Sequence, residues 1–160
     1  MCAVEKKDVG AGLSNADWQT RKEAAIARGQ GNIAPVYIDH AENAEMWDVE
    51  GRRYIDFGTG IAVCNTGHSN PRVVAAVREQ LEKFSHTCVM VTPYDTAVRL
   101  AEALNALAPG DTPKKSMFVT TGAEAVENTV KIARAFTGRR GVIAFNGGFH
   151  GRTMMAMGLT

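Results

Sequence analysis

Apolar side chains recur every three to four residues along several stretches of the chain, which is the spacing of an amphipathic helix. This pattern predicts helices over residues 15–28, 71–84, 95–107 and 123–137. The second of these also has a favourable start, because Asn70 is a good N-cap residue and a proline follows it. We expect the apolar stripes of the second and third helices to be buried in a core.

Short runs of β-favouring residues occupy the region after the first helix, at residues 36–38, 44–49 and 53–57. Between the last two runs stands Glu50-Gly51, a dipeptide typical of a hairpin turn. The pattern therefore predicts a small antiparallel sheet near the start of the chain.

The last third of the chain alternates between strand-like and helical segments. Predicted strands at 116–119 and 141–145 flank the helix over 123–137, with short connections. Strand, helix and strand in this order are typical of a parallel sheet in an α/β fold.

A glycine-rich segment at residues 58–67 separates the antiparallel region from the α/β region. We predict a disordered tail over 1–14, a helix with antiparallel strands over 15–62, and the first part of a large α/β domain over 63–160. One strand-helix-strand unit with two helices cannot cover both faces of a parallel sheet, so the chain is expected to be a fragment of a longer protein.

The charge balance argues against some classes of partner. The formal net charge is +1, which predicts neither nucleic-acid binding nor attraction to an anionic membrane. No apolar run is long enough to span a bilayer, and the first ten residues lack the apolar core of a signal peptide. The three cysteines are far apart, so neither a disulfide framework nor a zinc site is indicated, and a cytoplasmic location is expected.

Residues 119–128 are the most informative stretch of the chain for a ligand site. Thr121 and Glu124 have the spacing of a capping box, which leaves the amides of Gly122 and Ala123 free at the positive end of a helix dipole. Such a position after a strand is where open α/β sheets bind phosphate. An ordinary turn whose amides bind water remains the alternative, and the spacing is not that of a P-loop.

The segment GGFHGRT follows the next predicted strand, so it is expected to face the same crevice. Phe149 could stack on a planar ligand, and Arg152 could bind a carboxylate with its fork of donors. A solvated surface arginine and a structural His150 are the alternatives. The other histidines lack metal-ligand spacing, so no metal site is predicted.

Several segments together resemble a known family. They are WDVEGRRYIDFGTGIAVCNTGH, HTC, PGD with a following KK, TTGAEAVENTVKIARA and FHGRT. From about residue 30 to residue 160 they resemble the N-terminal part of class III, fold-type I pyridoxal-phosphate aminotransferases of the 4-aminobutyrate type. The resemblance implies a small-domain antiparallel segment followed by an incomplete large domain with a mixed or parallel sheet.

The resemblance also implies roles for single residues. Gly122 and Ala123 match the turn whose amides bind the cofactor phosphate, although serine is frequent at the second position. Phe149 matches the aromatic residue that stacks on the pyridine ring, and His150 follows it as in the family. Arg152 matches the arginine that binds the substrate carboxylate, and Ile61 matches an apolar residue on the substrate side. No catalytic residue is expected within 1–160, since the Schiff-base lysine should lie beyond Thr160.

The implied activity is transfer of the amino group of 4-aminobutyrate to 2-oxoglutarate with pyridoxal 5'-phosphate as cofactor, giving succinate semialdehyde and glutamate. The resemblance further implies that the intact protein is a cytoplasmic homodimer or higher homo-oligomer and that the fragment alone is inactive. Aminotransferases for 5-aminovalerate, β-alanine or ornithine are alternatives within the family. A non-catalytic phosphate-binding module is an alternative from another class, and an aminomutase on the same fold is a third.

Overall fold

The computed structural model describes residues 12–160, so most of the predicted tail over 1–14 lies outside the described residues. The chain divides into two compact units, the first ending at His86 and the second running from Thr87 to Thr160. The domain boundary predicted near residue 62 rests on the glycine-rich sequence and stays a prediction. No helix among the described residues combines the length and the apolar character that a membrane crossing needs.

Helix α1 (Asn15–Ala25) opens the first unit and ends three residues before the predicted end. A capping box starts it: the hydroxyl of Ser14 accepts the amide of Asp17 at 3.2 Å, and the Asp17 carboxylate accepts the amide of Ser14 at 2.9 Å. These bonds satisfy amides that a helix start would otherwise leave open.

Three strands form an antiparallel sheet in the order β1 (Ile38–Glu42), β2 (Glu45–Asp48) and β3 (Arg53–Ile55). The predicted turn joins β2 to β3, and Gly51 there has a φ of +77°. The first strand was predicted too early, at 36–38. The cause is a tight turn at Asn43, whose φ of +51° lets the chain reverse directly into β2.

A buried carboxylate ties α1 to the turn between β2 and β3. Asp48 accepts hydrogen bonds from the side chains of Asn15 and Tyr54, both at 2.9 Å, and from the Arg52 amide at 2.8 Å. Burial acts to raise the pKa of the Asp48 carboxyl, but these donors outweigh it and lower the pKa to about 2. The carboxylate therefore stays ionised and hydrogen-bonded between α1 and the β2–β3 turn.

The predicted helices are present with small changes in their bounds. They are α3 (Pro71–Lys83), α4 (Asp95–Leu107) and α5 (Gly122–Thr137). The structure adds a short left-handed turn, α2 (Thr59–Ala62), and a short helical turn, α6 (Met154–Met157). Asn70 caps α3 as predicted, accepting the amide of Arg72 at 3.0 Å. Gly138 ends α5 with a φ of +69°, the left-handed cap that glycine favours.

The apolar stripes of α3 and α4 are not core, and that prediction was wrong for this structure. Large apolar side chains on both helices are about half exposed or more, namely Val77, Leu81, Leu100, Leu104 and Leu107. Among the described residues, Val130 and Ala156 are the buried apolar ones. Helical periodicity identifies the apolar face correctly, but a face is buried only where another element lies against it.

The predicted strands at 116–119 and 141–145 are a second correction. Neither segment has a strand or a backbone ladder among the described residues. A strand exists only through hydrogen bonds to a neighbour, so β-favouring residues alone do not make one. The chain is nevertheless of the α/β class expected, with its sheet in the first unit and long helices in both.

Candidate cofactor and substrate site

The start of α5 has the geometry that its sequence predicts. The hydroxyl of Thr121 accepts the amide of Glu124 at 3.1 Å. The Glu124 carboxylate accepts the amides of Thr120 and Thr121, both at 2.9 Å. This capping box fixes the first turn of a 16-residue helix.

The next two amides fit a phosphate group. Among the residues that the structure describes, the N–H groups of Gly122 and Ala123 have no hydrogen-bond acceptor. A Cβ placed on Gly122 would have no atom within 4 Å, so there is open space beside the first of these donors. Free amides at the positive end of a long helix bind anions well.

Gly151 brings the GGFHGRT loop against the start of α5. Its φ is +121°, and a Cβ added to it would lie 2.8 Å from the Cβ of Ala123 and 3.2 Å from its Cα. Only glycine permits both the conformation and the approach. The sequence analysis did not single out Gly151, although its place between His150 and Arg152 in FHGRT was a usable signal.

A second link holds the same loop. The hydroxyl of Thr153 donates to the Glu127 carboxylate at 2.5 Å and also caps α6 by accepting the amide of Ala156. Glu127 lies in α5, one turn after the capping glutamate. The loop is thus attached to α5 on both sides of Arg152, through Gly151 before it and Thr153 after it.

The predicted ligand-binding side chains of this loop differ in exposure. Phe149 is 72% exposed, and Arg152 is exposed with no hydrogen bond or ion pair among the described residues. His150 is half-buried, and its ring lies over Gly148, where an added Cβ would be 2.9 Å from Nε2. The second unit therefore brings the backbone of the loop that carries Phe149 and Arg152 against the start of α5, where the two amides lie.

Ile61, the remaining predicted site residue, belongs to the first unit. It lies in α2 with a φ of +58°, and its side chain is 93% exposed. A β-branched residue in this left-handed region is a real outlier, and such outliers are concentrated at functional sites.

Comparison with known proteins identifies many relatives among the aminotransferases. The chain is 61% identical to the 5-aminovalerate aminotransferase DavT of Pseudomonas aeruginosa over 140 residues, which cover 88% of this chain and 33% of that protein. It is 56% identical to the 4-aminobutyrate aminotransferase GabT of Escherichia coli over 147 residues, covering 92% of this chain and 34% of that protein. The chain thus spans about a third of the length of these curated relatives.

Solved structures give the same result at lower identity. An S-selective transaminase from Arthrobacter sp. with alanine bound matches with a TM-score of 0.80 and 27% identity over 92% of this chain and 33% of its own. The taurine:2-oxoglutarate aminotransferase of Bifidobacterium kashiwanohense, in complex with PLP and glutamate, matches with a TM-score of 0.79 and 27% identity over 90% of this chain and 32% of its own. Finally, the profile of the family Aminotransferase class-III matches residues 25–160. The chain belongs to the class III aminotransferases, a family that depends on pyridoxal phosphate.

Proposed function

We propose that the protein carrying this chain is an ω-amino-acid aminotransferase that moves the amino group of 4-aminobutyrate to 2-oxoglutarate. The observation that carries the proposal is the contact of Gly151 with Ala123, which joins the free amides of α5 to the FHGRT loop. Family membership supports the reaction class, and the identity to the E. coli 4-aminobutyrate enzyme supports the substrate.

In this proposal the amides of Gly122 and Ala123 bind the phosphate of pyridoxal 5'-phosphate, assisted by the dipole of α5. When bound, the cofactor supplies an electron sink for the carbon that loses its proton. Ala123 offers no side-chain hydroxyl where serine is frequent in the family. We expect a serine there to strengthen phosphate binding by about 1 kcal/mol, the value of one neutral hydrogen bond.

The side chains of the FHGRT loop orient the ligands. Phe149 is exposed and would stack on the pyridine ring, and His150 follows it in the loop. Among the described residues the guanidinium of Arg152 has no partner, and its fork of donors fits a carboxylate, so it would hold the acid end of the substrate. Ile61 would line the substrate side with an apolar surface.

The choice between two substrates depends on chain length. 5-Aminovalerate is the second candidate, because the P. aeruginosa 5-aminovalerate enzyme is 61% identical to this chain. The two amino acids differ by one methylene, which an apolar pocket distinguishes by about 1 to 3 kcal/mol. The cytoplasmic location and the homodimer stay predictions.

The deciding experiment uses the complete gene product that contains this chain. We expect the purified protein to carry a cofactor chromophore that bleaches with 4-aminobutyrate and returns with 2-oxoglutarate, while succinate semialdehyde and glutamate form in equal amounts. Parallel assays with 5-aminovalerate rank the two substrates by kcat/KM. Consumption of 2-oxoglutarate distinguishes the aminotransferase from an aminomutase, which needs no external acceptor.

Arg152→Ala tests the role of the loop against the phosphate-module alternative. We expect it to raise KM for the amino acid by at least about tenfold while the affinity for cofactor changes little. Arg140→Ala, a change at another exposed arginine of the same unit, is the matched control and should leave KM unchanged. A protein that binds cofactor and shows no turnover with either amino acid would favour a non-catalytic phosphate-binding module.

A further inference from the structure

Asp56 and His68 form a nearly buried pair in the first unit. The Asp56 carboxylate lies 2.7 Å from His68 Nε2, and the two side chains are 7% and 21% exposed. The bond to His68 is the main reason that the pKa of the Asp56 carboxyl is lowered. The other carboxylate oxygen accepts the amides of Gly58 and Thr59, both at 2.8 Å.

These two amides lead directly into α2, the most unusual backbone of the unit. All four of its residues, Thr59 to Ala62, have a positive φ, between +46° and +62°. L-residues avoid this region, unlike the achiral glycine, and a run of them persists only where the surroundings hold it in place. The large side chain that the turn presents to solvent is that of Ile61.

The chain that follows the turn is attached to the sheet at His68. The backbones of His68 and Asn43 pair in both directions, with N···O distances of 2.8 and 3.0 Å. Gly67 allows this approach, since a Cβ on it would lie 3.0 Å from the Asn43 Cα. His68 therefore connects the sheet, through Asp56, to the first residues of the left-handed turn.

We infer that Asp56 and His68 are positioning residues that hold the left-handed turn 59–62 and thereby fix Ile61 for recognition of the apolar part of the substrate. This inference rests on the proposed function, since Ile61 acts on substrate only in an ω-amino-acid aminotransferase. Neither side chain of the pair touches a reacting atom. Their effect on the reaction passes through the backbone of the turn and appears in substrate binding.

The experiment uses the complete gene product with Asp56→Asn, Ile61→Ala and the double variant. An asparagine keeps the size of the side chain but places an amide against His68. We expect Asp56→Asn to raise KM for 4-aminobutyrate about tenfold with kcat changed less than about twofold. In the Ile61→Ala background the same change should alter KM less than about twofold, because the side chain that it positions is gone.

Asp39→Asn is the matched control. Asp39 lies 2.9 Å from His40 in a second Asp–His pair, but that pair is more than half exposed, and the Asp39 side chain accepts no bond from the turn among the described residues. We expect the control to leave KM unchanged. Additive effects of Asp56→Asn and Ile61→Ala on KM would overturn the inference, because they would show that Asp56 acts independently of Ile61.

Amide hydrogen exchange separates a failure of this inference from a failure of the proposed function. We expect Asp56→Asn to accelerate exchange in residues 58–63 at least about tenfold, and Asp39→Asn to leave it unchanged. Unchanged exchange in Asp56→Asn would overturn the inference even in an active enzyme. Absence of transamination by the wild-type protein would overturn the proposed function, while faster exchange in the variant would still support the positioning of the turn.

Discussion

Different kinds of interaction stabilise the inside of each of the two units. In the first unit, α1 is joined to the β2–β3 turn by a buried polar network centred on Asp48 and Asn15. In the second unit, α5 and α6 carry the buried apolar residues Val130 and Ala156. The comparison teaches that directional hydrogen bonds fix the arrangement of the elements in the first unit. In the second unit, the candidate site depends on a glycine, Gly151, that lets the loop backbone approach α5 closely.

The largest expected effect comes from Gly151→Ala in the second unit. An alanine would adopt an unfavourable φ and would also place its Cβ 2.8 Å from that of Ala123, so we expect a loss of about 4 kcal/mol in stability. Cofactor affinity should fall together with stability. Chemical denaturation and a cofactor titration measure the two effects.

Gly147→Ala is the control for that prediction. Gly147 has a φ of +79°, but an added Cβ there would meet nothing within 4 Å. Gly147→Ala therefore suffers only from the unfavourable φ, and its free energy of unfolding should fall by about 1 kcal/mol. Equal losses at Gly147 and Gly151 would show that the contact with Ala123 is unimportant.

The next largest loss of stability is expected for Asn15→Ala in the first unit. Asn15→Ala removes the donor to Asp48 and the acceptor for the Tyr37 amide, which lies 2.6 Å from the Asn15 side-chain oxygen. The half-buried Tyr37 amide would lose its acceptor, and the buried Asp48 carboxylate would lose one of its several donors, so we expect the free energy of unfolding to fall by about 2 kcal/mol. Asn128→Ala, which removes a bond to a carbonyl of its own helix, should cost less than about 1 kcal/mol. A similar loss in both variants would contradict a special role for the network.

A smaller effect sharpens the comparison, because the described part of each unit contains a capping box. Ser14→Ala and Thr121→Ala should each cost about 1 kcal/mol of helix stability. Since Asn15 also anchors the start of α1, we expect hydrogen exchange to increase more at the start of α5 than at the start of α1. Equal increases would show that the Asn15 network does not restrain α1.

The smallest effect is a change in pH dependence. The hydrogen bonds to the Asp48 carboxylate lower its pKa from the ordinary 3.8 to about 2 in the folded protein. The ionised carboxylate therefore stabilises the fold at pH values above 3.8, and this stabilisation is lost as the pH falls toward 2. We expect the melting temperature of the wild type to fall more steeply with acid than that of Asp48→Asn. Parallel slopes between about pH 5 and pH 2 would contradict the assignment.

Local signals in the sequence predicted local structure well. Asn70 before proline, the Thr121 and Glu124 spacing and the Glu50-Gly51 turn are each complete within a few residues, and the structure contains all three. Their energetics depend on neighbouring backbone groups, so no distant residue can change the outcome. The free amides of the candidate phosphate site follow from the same local rule.

Features that depend on distant partners were harder to predict. The segments at 116–119 and 141–145 have suitable residues for strands, but a ladder needs a neighbouring strand that no short window of sequence reveals. The link between Thr153 and Glu127 joins residues 26 positions apart. Nothing in the residues alone pointed to the pair of Asp56 and His68, which depends on the fold of the intervening turn.

The left-handed turn at Thr59–Ala62 has a consequence for stereochemistry. Its φ angles are those of the mirror image of a normal helical turn, so the backbone is better suited to D-amino acids than to the residues it contains. In a chemically synthesised or semisynthetic protein, a D-alanine at position 62 should be tolerated or even stabilising. At Thr59, Ile61 and Ala62, which surround Gly60, the fold requires φ angles that the L configuration disfavours.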